Sequence, residues 1–210
     1  MSERRLGMVV DLALCIGCNA CAVACKQEND VPLTKFNTWV ESWDVDDGGR
    51  IRRANLPKLC NHCANPACVH VCPTGASYVD ADGSVQIDAG KCIGCKYCMA
   101  ACPFGVRYAN EEMGDVHKCT FCHHRTANGL LPACAGTCVT HARVFGDLND
   151  PDSDVSKRLA AADDAGVLLA DMGMSPSVHY LGLDKTMAME RVSAVHKGGN
   201  VKTPYEGRQP

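Results

Sequence analysis

Short β-prone stretches alternate with turn residues along most of the chain, and long periodic segments are few. Residues 7–12 read as a first strand. Residues 36–45 and 50–56 flank the turn Asp46-Asp47-Gly48-Gly49 and read as a hairpin. Residues 76–80 and 84–88 around Ala81-Asp82-Gly83 read as a second, with further short strands over 105–109 and 142–147. After residue 150 the pattern changes. Asp152 or Ser153 can cap a helix whose apolar positions Val155, Leu159 and Ala162 share one face, with Gly166 as its stop. Residues 176–183 read as an extended piece. From Ala194 on, Gly, Lys, Pro and polar residues dominate, an end expected to stay solvated or to wrap a partner.

Composition adds one large departure. Of 210 residues 46% are hydrophobic but only 5% aromatic, and sixteen are Cys. Large core fillers are scarce, so the cysteines must help to hold the chain together. The 21 Lys+Arg and 24 Asp+Glu leave a formal charge of −3, with no basic excess for nucleic acid or an anionic membrane surface. No stretch of about 18 apolar residues is available to span a bilayer. The longest segment without a charged side chain, 59–79, holds four Cys, two His, two Asn and two Pro, and reads as a site. Balanced charge argues against disorder. Arg4-Arg5 looks like the start of a twin-arginine signal, but the apolar stretch that follows is shorter than the roughly 7–15 residues a signal needs. Two solvated arginines before a strand are expected instead.

The cysteines fall into four sets of four: Cys15, Cys18, Cys21, Cys25; Cys60, Cys63, Cys68, Cys72; Cys92, Cys95, Cys98, Cys102; and Cys119, Cys122, Cys134, Cys138. Sets one and three have two, two and three residues between successive cysteines, the run that bacterial ferredoxins use for [4Fe–4S] clusters. Cysteines at every third position of a tight loop turn three sulfurs inward. The fourth, about a helical turn further on, points away and serves a second cluster. Two such runs therefore exchange their fourth cysteines, and four sets give four clusters. Cys72-Pro73 and Cys102-Pro103 carry the Cys-Pro ending of the pattern. Set two widens its second gap to four residues and set four to eleven.

Three rival readings of the cysteines fit less well. Disulfide scaffolds do not repeat this spacing. Structural zinc would pair CxxC knuckles and leave the third and fourth cysteine of each set unexplained. Cys119-Thr120-Phe121-Cys122-His123 matches a haem-attachment pattern, but that reading orphans Cys134 and Cys138. His62 and His70 sit inside a set that already has four sulfurs, so packing or hydrogen bonding to sulfur suits them better than ligation.

Sets two and three can form a compact inner module (59–110), with sets one and four in an outer module (1–58 and 111–149) around it. The expected class is α+β: two nested bacterial-ferredoxin-like modules of short strands, small helices and long loops, plus a C-terminal extension (150–210) able to dock a partner.

These sets, the segment Cys60-Asn61-His62-Cys63-Ala64-Asn65-Pro66-Ala67-Cys68 and the stretch Val144-Phe145-Gly146-Asp147-Leu148-Asn149-Asp150-Pro151 resemble the iron–sulfur subunit of the molybdopterin oxidoreductases, the family of dimethyl sulfoxide, polysulfide and arsenate reductases, over roughly residues 7–184. The resemblance implies four [4Fe–4S] clusters. The first would be held by Cys15, Cys18, Cys21 and Cys138, and the second by Cys25, Cys119, Cys122 and Cys134. The third would be held by Cys60, Cys63, Cys68 and Cys102, and the fourth by Cys72, Cys92, Cys95 and Cys98. Lys26 and Val139 stand where the pattern has proline, which is expected to loosen the outer loops. At about −2 per oxidised cluster the loaded chain would carry roughly −11, and Lys91, Lys96, Arg107 and Lys118 beside ligands could offset it.

The implied role is single-electron transfer inside a complex, with catalysis in a separate large molybdenum- or tungsten-pterin subunit. Electrons would come from a quinol-oxidising membrane anchor or a soluble donor. A free-standing polyferredoxin carrier is the alternative. No GxGxxG or phosphate-loop pattern is present. Clusters would be loaded in the cytoplasm. The final site would be there or, carried by a partner's export signal, the extracytoplasmic face of the membrane.

Overall fold

The computed structural model describes residues 4–46 and 48–188, so the expected solvated or wrapping end from Ala194 lies outside the described residues. Strand β1 (Leu6–Asp11) leads to helix α1 (Ala20–Glu28), the hairpin β2 (Thr38–Asp46) and β3 (Ile51–Leu59), and helix α2 (Ala67–His70). The hairpin β4 (Ser77–Val79) and β5 (Val85–Ile87) precedes α3 (Tyr97–Ala100), and β6 (Tyr108–Asn110) and β7 (Asp115–His117) precede α4 (His123–Thr126) and α5 (Ala133–Gly136). Then come β8 (Arg143–Asp147), α6 (Asp154–Ala160), β9 (Ala165–Gly166), a 3-10 turn (Ala170–Met172), β10 (Val178–Leu181) and α7 (Leu183–Ala188). The class is α+β, with the short strands and helical turns expected from the sequence.

One four-stranded sheet, in the order β8-β1-β10-β9, organises the molecule. β1 runs antiparallel to β8, with Leu6 opposite Asp147, and parallel to β10, with Met8 opposite Val178. Every residue of β1 is buried, as befits a central strand covered on both faces. Leu6, Met8 and Val10 turn to one side, into a core shared with Val178, Tyr180, Cys21, Cys60, Cys63, Cys119 and Cys134. Val9 turns to the other, against Val155 and Leu181. The long hairpin, β2 with β3, is tied to this sheet by the Tyr180 hydroxyl, which donates to the Pro57 carbonyl at 2.9 Å.

The chain after residue 150 departs from expectation. Residues 150–188 are not a separate extension. β10, buried except for half-buried His179, fills a place inside the sheet, and α6 seals its outer face through Val155, a burial that stabilises by roughly 1.5–3 kcal/mol. The helix start is as read: Ser153 Oγ accepts from the Ser156 N–H at 3.2 Å. Its end is earlier, at Ala160, because Gly166 is drawn into β9 opposite Tyr180. The strand expected over 105–109 starts later, at Tyr108, because Arg107 turns into the core. Its partner β7 went unread.

Helices α2 and α3 have four residues each and stop before Cys72-Pro73 and Cys102-Pro103, where proline has no N–H to continue them. With Lys26 in place of proline, α1 runs three residues past Cys25. The loop that follows is not loosened. Lys26 Nζ donates to the carbonyls of Pro32 at 2.7 Å and Lys35 at 2.6 Å, and lies 4.4 Å from the Phe36 ring centroid.

Tyr180→Phe removes one of the hydrogen bonds between sheet and hairpin. It is expected to lower stability by about 1–3 kcal/mol, read as a lower unfolding midpoint in denaturant. An unchanged midpoint would show that the hydroxyl is dispensable.

Candidate metal centres

All four Cys-x-x-Cys turns share one backbone device. The residue just before the second cysteine is left-handed in each: Gly17 at φ 69°, His62 at 42°, Gly94 at 65° and Phe121 at 55°. Glycine adopts this freely; His and Phe do so only where surroundings hold them. A Cβ on Gly94 would stand 2.4 Å from the Gly114 carbonyl oxygen, and one on Gly17 2.5 Å from Asn55 Oδ1. His62 and Phe121 hold one another: their rings stack at 3.6 Å between centroids, 14° from parallel, and Phe145 meets Phe121 edge-on.

The turns bring the sixteen cysteines into four quartets. Cys15, Cys18, Cys21 and Cys138 line a cavity of about 350 Å³ with Ile16, Val40 and Arg143. Cys25, Cys119, Cys122 and Cys134 line one of about 270 Å³ with Asn29 and Thr38. Asn29 Nδ2 donates to Cys25 Sγ and Cys122 Sγ, 3.6 Å from each. Cys72, Cys92, Cys95 and Cys98 line a third of about 340 Å³ with Thr74 and Arg107. Cys63 lies in the electrostatic field of Cys60, Cys68 and Cys102, which makes the remaining quartet. None of the sixteen forms a disulfide, and Cys18 and Cys95 are the two that are exposed.

Burial dominates the chemistry of these thiols. It pushes Cys25 and Cys63 up to about 12, with neighbouring sulfurs adding to the effect, and raises Cys15, Cys68, Cys119 and Cys134 as well. Cys72 and Cys138 go down instead. Burial still raises them, but backbone N–H groups, including that of Ser77 on Cys72 at 3.4 Å, outweigh it.

Three cations are buried among the sulfurs: Arg107, Lys118 and Arg143 are 2%, 3% and 4% exposed. Arg107 Nη2 donates to Cys68 Sγ at 2.8 Å and to Ser77 Oγ at 2.9 Å. Lys118 Nζ donates to the carbonyls of Val85 and Cys119. Arg143 Nη2 donates to Thr38 Oγ1 at 2.9 Å, with Cys134 and Cys21 the nearest negative charges if ionised. Burial lowers Lys118; the sulfurs hold Arg107 and Arg143 above their ordinary values despite burial. Among the described residues no carboxylate pairs with any of the three. Asn61 Nδ2 and Arg107 Nη1 are buried donors without an acceptor. Sulfur-only quartets, unpaired cations and orphaned donors together fit an anionic, sulfur-rich metal group.

The sequence reading named Arg107 and Lys118. It also named Lys91 and Lys96, which are exposed, Lys91 paired with Asp88 at 3.1 Å. It missed Arg143; for His62 it expected packing or hydrogen bonding to sulfur, and the structure stacks the ring on Phe121. His62 is fully buried, its Nδ1 accepting from the Val85 N–H at 3.0 Å, and burial holds it well below the usual imidazole range.

A four-quartet, ferredoxin-like cysteine protein is the class that this fold and site define. Models of the 4Fe-4S dicluster domain match residues 14–76 and 51–148, and with the sixteen cysteines they support four [4Fe–4S] clusters. A tetrathionate reductase subunit of Salmonella typhimurium is 47% identical over 185 residues, covering 87% of this chain and 74% of the relative. Its namesake from Archaeoglobus fulgidus is 45% identical over 85% of this chain and 83% of the relative. A polysulfide reductase component of Wolinella succinogenes is 42% identical over 75% of this chain and 84% of the relative. The chain therefore belongs to the iron–sulfur subunit family of the molybdopterin oxidoreductases, whose members transfer electrons and are not the catalytic subunits. No helix among the described residues is long and apolar enough to cross a membrane.

Gly94→Ala places a methyl group on a backbone oxygen beside an exposed cysteine turn. It is expected to lower bound iron and acid-labile sulfide by roughly a quarter; full retention would show that the turn can shift.

Proposed function

We propose that this chain holds its four clusters in series and relays single electrons between a donor and the molybdopterin catalytic subunit of an oxidoreductase complex. Cys15, Cys18, Cys21 and Cys138 hold the first; Cys25, Cys119, Cys122 and Cys134 the second. Cys60, Cys63, Cys68 and Cys102 hold the third; Cys72, Cys92, Cys95 and Cys98 the fourth. The observation that carries this reading is the convergence of each quartet from two distant stretches of chain. Bound there, the clusters supply one-electron redox chemistry. The chain fixes their order and their dryness. Cys134 and Cys21 flank Arg143, Cys119 and Cys60 flank Lys118, and Cys68 and Cys98 flank Arg107. These neighbours support the order first, second, third, fourth.

The two end quartets face outward. Cys18 and Cys95 are exposed, with apolar Ile16 beside one and Ile93 and Tyr97 beside the other. Apolar rims around redox groups suit contact with a partner at each end: the catalytic subunit at one, and a quinol-oxidising membrane subunit or soluble donor at the other. The relatives are named as components of multisubunit reductases, which supports a chain that works in a complex.

Anaerobically purified protein is expected to carry about sixteen iron and sixteen sulfide and to co-elute with a large pterin-bearing chain. Cys95→Ser should alter one cluster and yield a three-iron EPR signal. Zinc in place of iron would reject the ligand assignment, and a stable, partner-free holo-monomer would favour the polyferredoxin reading. Because residues 150–188 pack into the folded body, the docking arm is proposed for 189–210. Removing those residues is expected to weaken assembly while leaving iron content intact, and equal assembly would reject the arm.

A further inference from the structure

The buried cations are not scattered through the core. Among the described residues Arg143, Lys118 and Arg107 are the three buried Lys or Arg side chains, and four quartets in series have three junctions. Arg143 lines the cavity of Cys15, Cys18, Cys21 and Cys138, and its other neighbour is Cys134 of the second quartet. Lys118 is bonded to the Cys119 carbonyl at 2.7 Å, in the second quartet, and faces Cys60 and Cys68 of the third. Arg107 donates to Cys68 Sγ of the third quartet at 2.8 Å and lines the cavity of Cys72, Cys92, Cys95 and Cys98, the fourth. Each junction holds one.

We propose that Arg143, Lys118 and Arg107 act as fixed positive charges, one per junction, each raising the reduction potentials of the two clusters that it separates. This rests on the ligand assignment above. Taking up an electron adds one negative charge to a cluster. A cation in the dry wall between two clusters favours the reduced form of both, and it offsets the repulsion that one reduced cluster exerts on the next. Solvent screens Lys91 and Lys96 and does not screen these three. The cations are therefore electrostatic positioning residues, acting through the clusters they flank.

The test is EPR-monitored potentiometry on the iron-loaded full chain, with its partner where they co-purify. Signals are assigned with one Cys→Ser variant per quartet. Arg107→Gln is expected to lower the reduction equilibrium of the third and fourth clusters about tenfold, about 60 mV for a one-electron couple, and to leave the first in place. Arg143→Gln should do the reverse, moving the first and second and sparing the fourth. Arg107→Lys should restore most of the shift, and exposed Lys96→Gln should cause none.

Unmoved potentials in fully loaded Arg107→Gln would overturn the proposal. So would a uniform shift of all four clusters, or an Arg107→Lys shift as large as that of Arg107→Gln. If Arg107→Gln fails to load iron, Lys118→Gln decides, because Lys118 Nζ donates to backbone carbonyls and not to a cysteine sulfur. Its second and third clusters must shift, and unmoved values overturn the idea. Wild-type protein that lacks iron and sulfide would instead overturn the ligand assignment beneath it.

Discussion

Among the described residues two guanidinium groups and an ammonium lie in the core without a paired carboxylate, and cysteine is the main source of opposite charge around them. Burying a cation without a counter-charge costs several kcal/mol. Free thiols supply that charge poorly: burial raises Cys68, Cys119 and Cys134, the sulfurs beside the three cations, above the ordinary thiol value. Thiolates bound to metal do supply it. The cations and cysteines therefore make sense as a set only with an anionic group among them, and the interior is a metal site before it is a hydrophobic core. This accounts for a composition with so few aromatic side chains.

The sheet keeps that interior in register. β1 feeds the first cysteine set and β8 follows the fourth; their pairing brings Cys15 and Cys138, far apart in sequence, into one cavity. β10 then closes the far side of β1, and Tyr180 reaches from it to the long hairpin. The end of the folded body thus locks its beginning, which is why residues 150–188 cannot behave as an appendage. The short hairpins act as spacers. Val85 is an example: its N–H fixes His62 and its carbonyl accepts from Lys118.

What could be read from the sequence was what is local. Cysteine spacing encodes turns, and the Cys-Pro endings encode where α2 and α3 stop. The hairpins β2–β3 and β4–β5 announced themselves through turn residues. Arg143 gave no such signal. It lies five residues beyond Cys138, ordinary by position, and it becomes a junction charge only because β8 packs beside the second quartet. Lys91 and Lys96 show the converse, since adjacency to a ligand in sequence says nothing about the side of the loop a side chain takes. β10 went unread as a core strand for the same reason. Its partner is β1, more than 160 residues away, and a parallel pairing leaves no turn between the strands to recognise.

The four turns share a backbone but not a side chain, and the difference has a direction. Gly17 and Gly94 serve the outer quartets, whose cysteines Cys18 and Cys95 reach solvent. His62 and Phe121 serve the inner two, and their stacked rings are 0% and 1% exposed. A left-handed His or Phe is a strained choice, offset here by what the side chain packs against. The stacked pair fills buried space next to Cys63 of the third quartet and Cys122 of the second, space that a glycine at either position would leave empty. Potentials of iron–sulfur groups follow solvent exposure as well as charge. Open ends and a sealed middle suit the proposed series: the exposed turns leave room for partners at the outer quartets, and the buried middle keeps its charges unscreened, the condition that the proposed role of Lys118 requires.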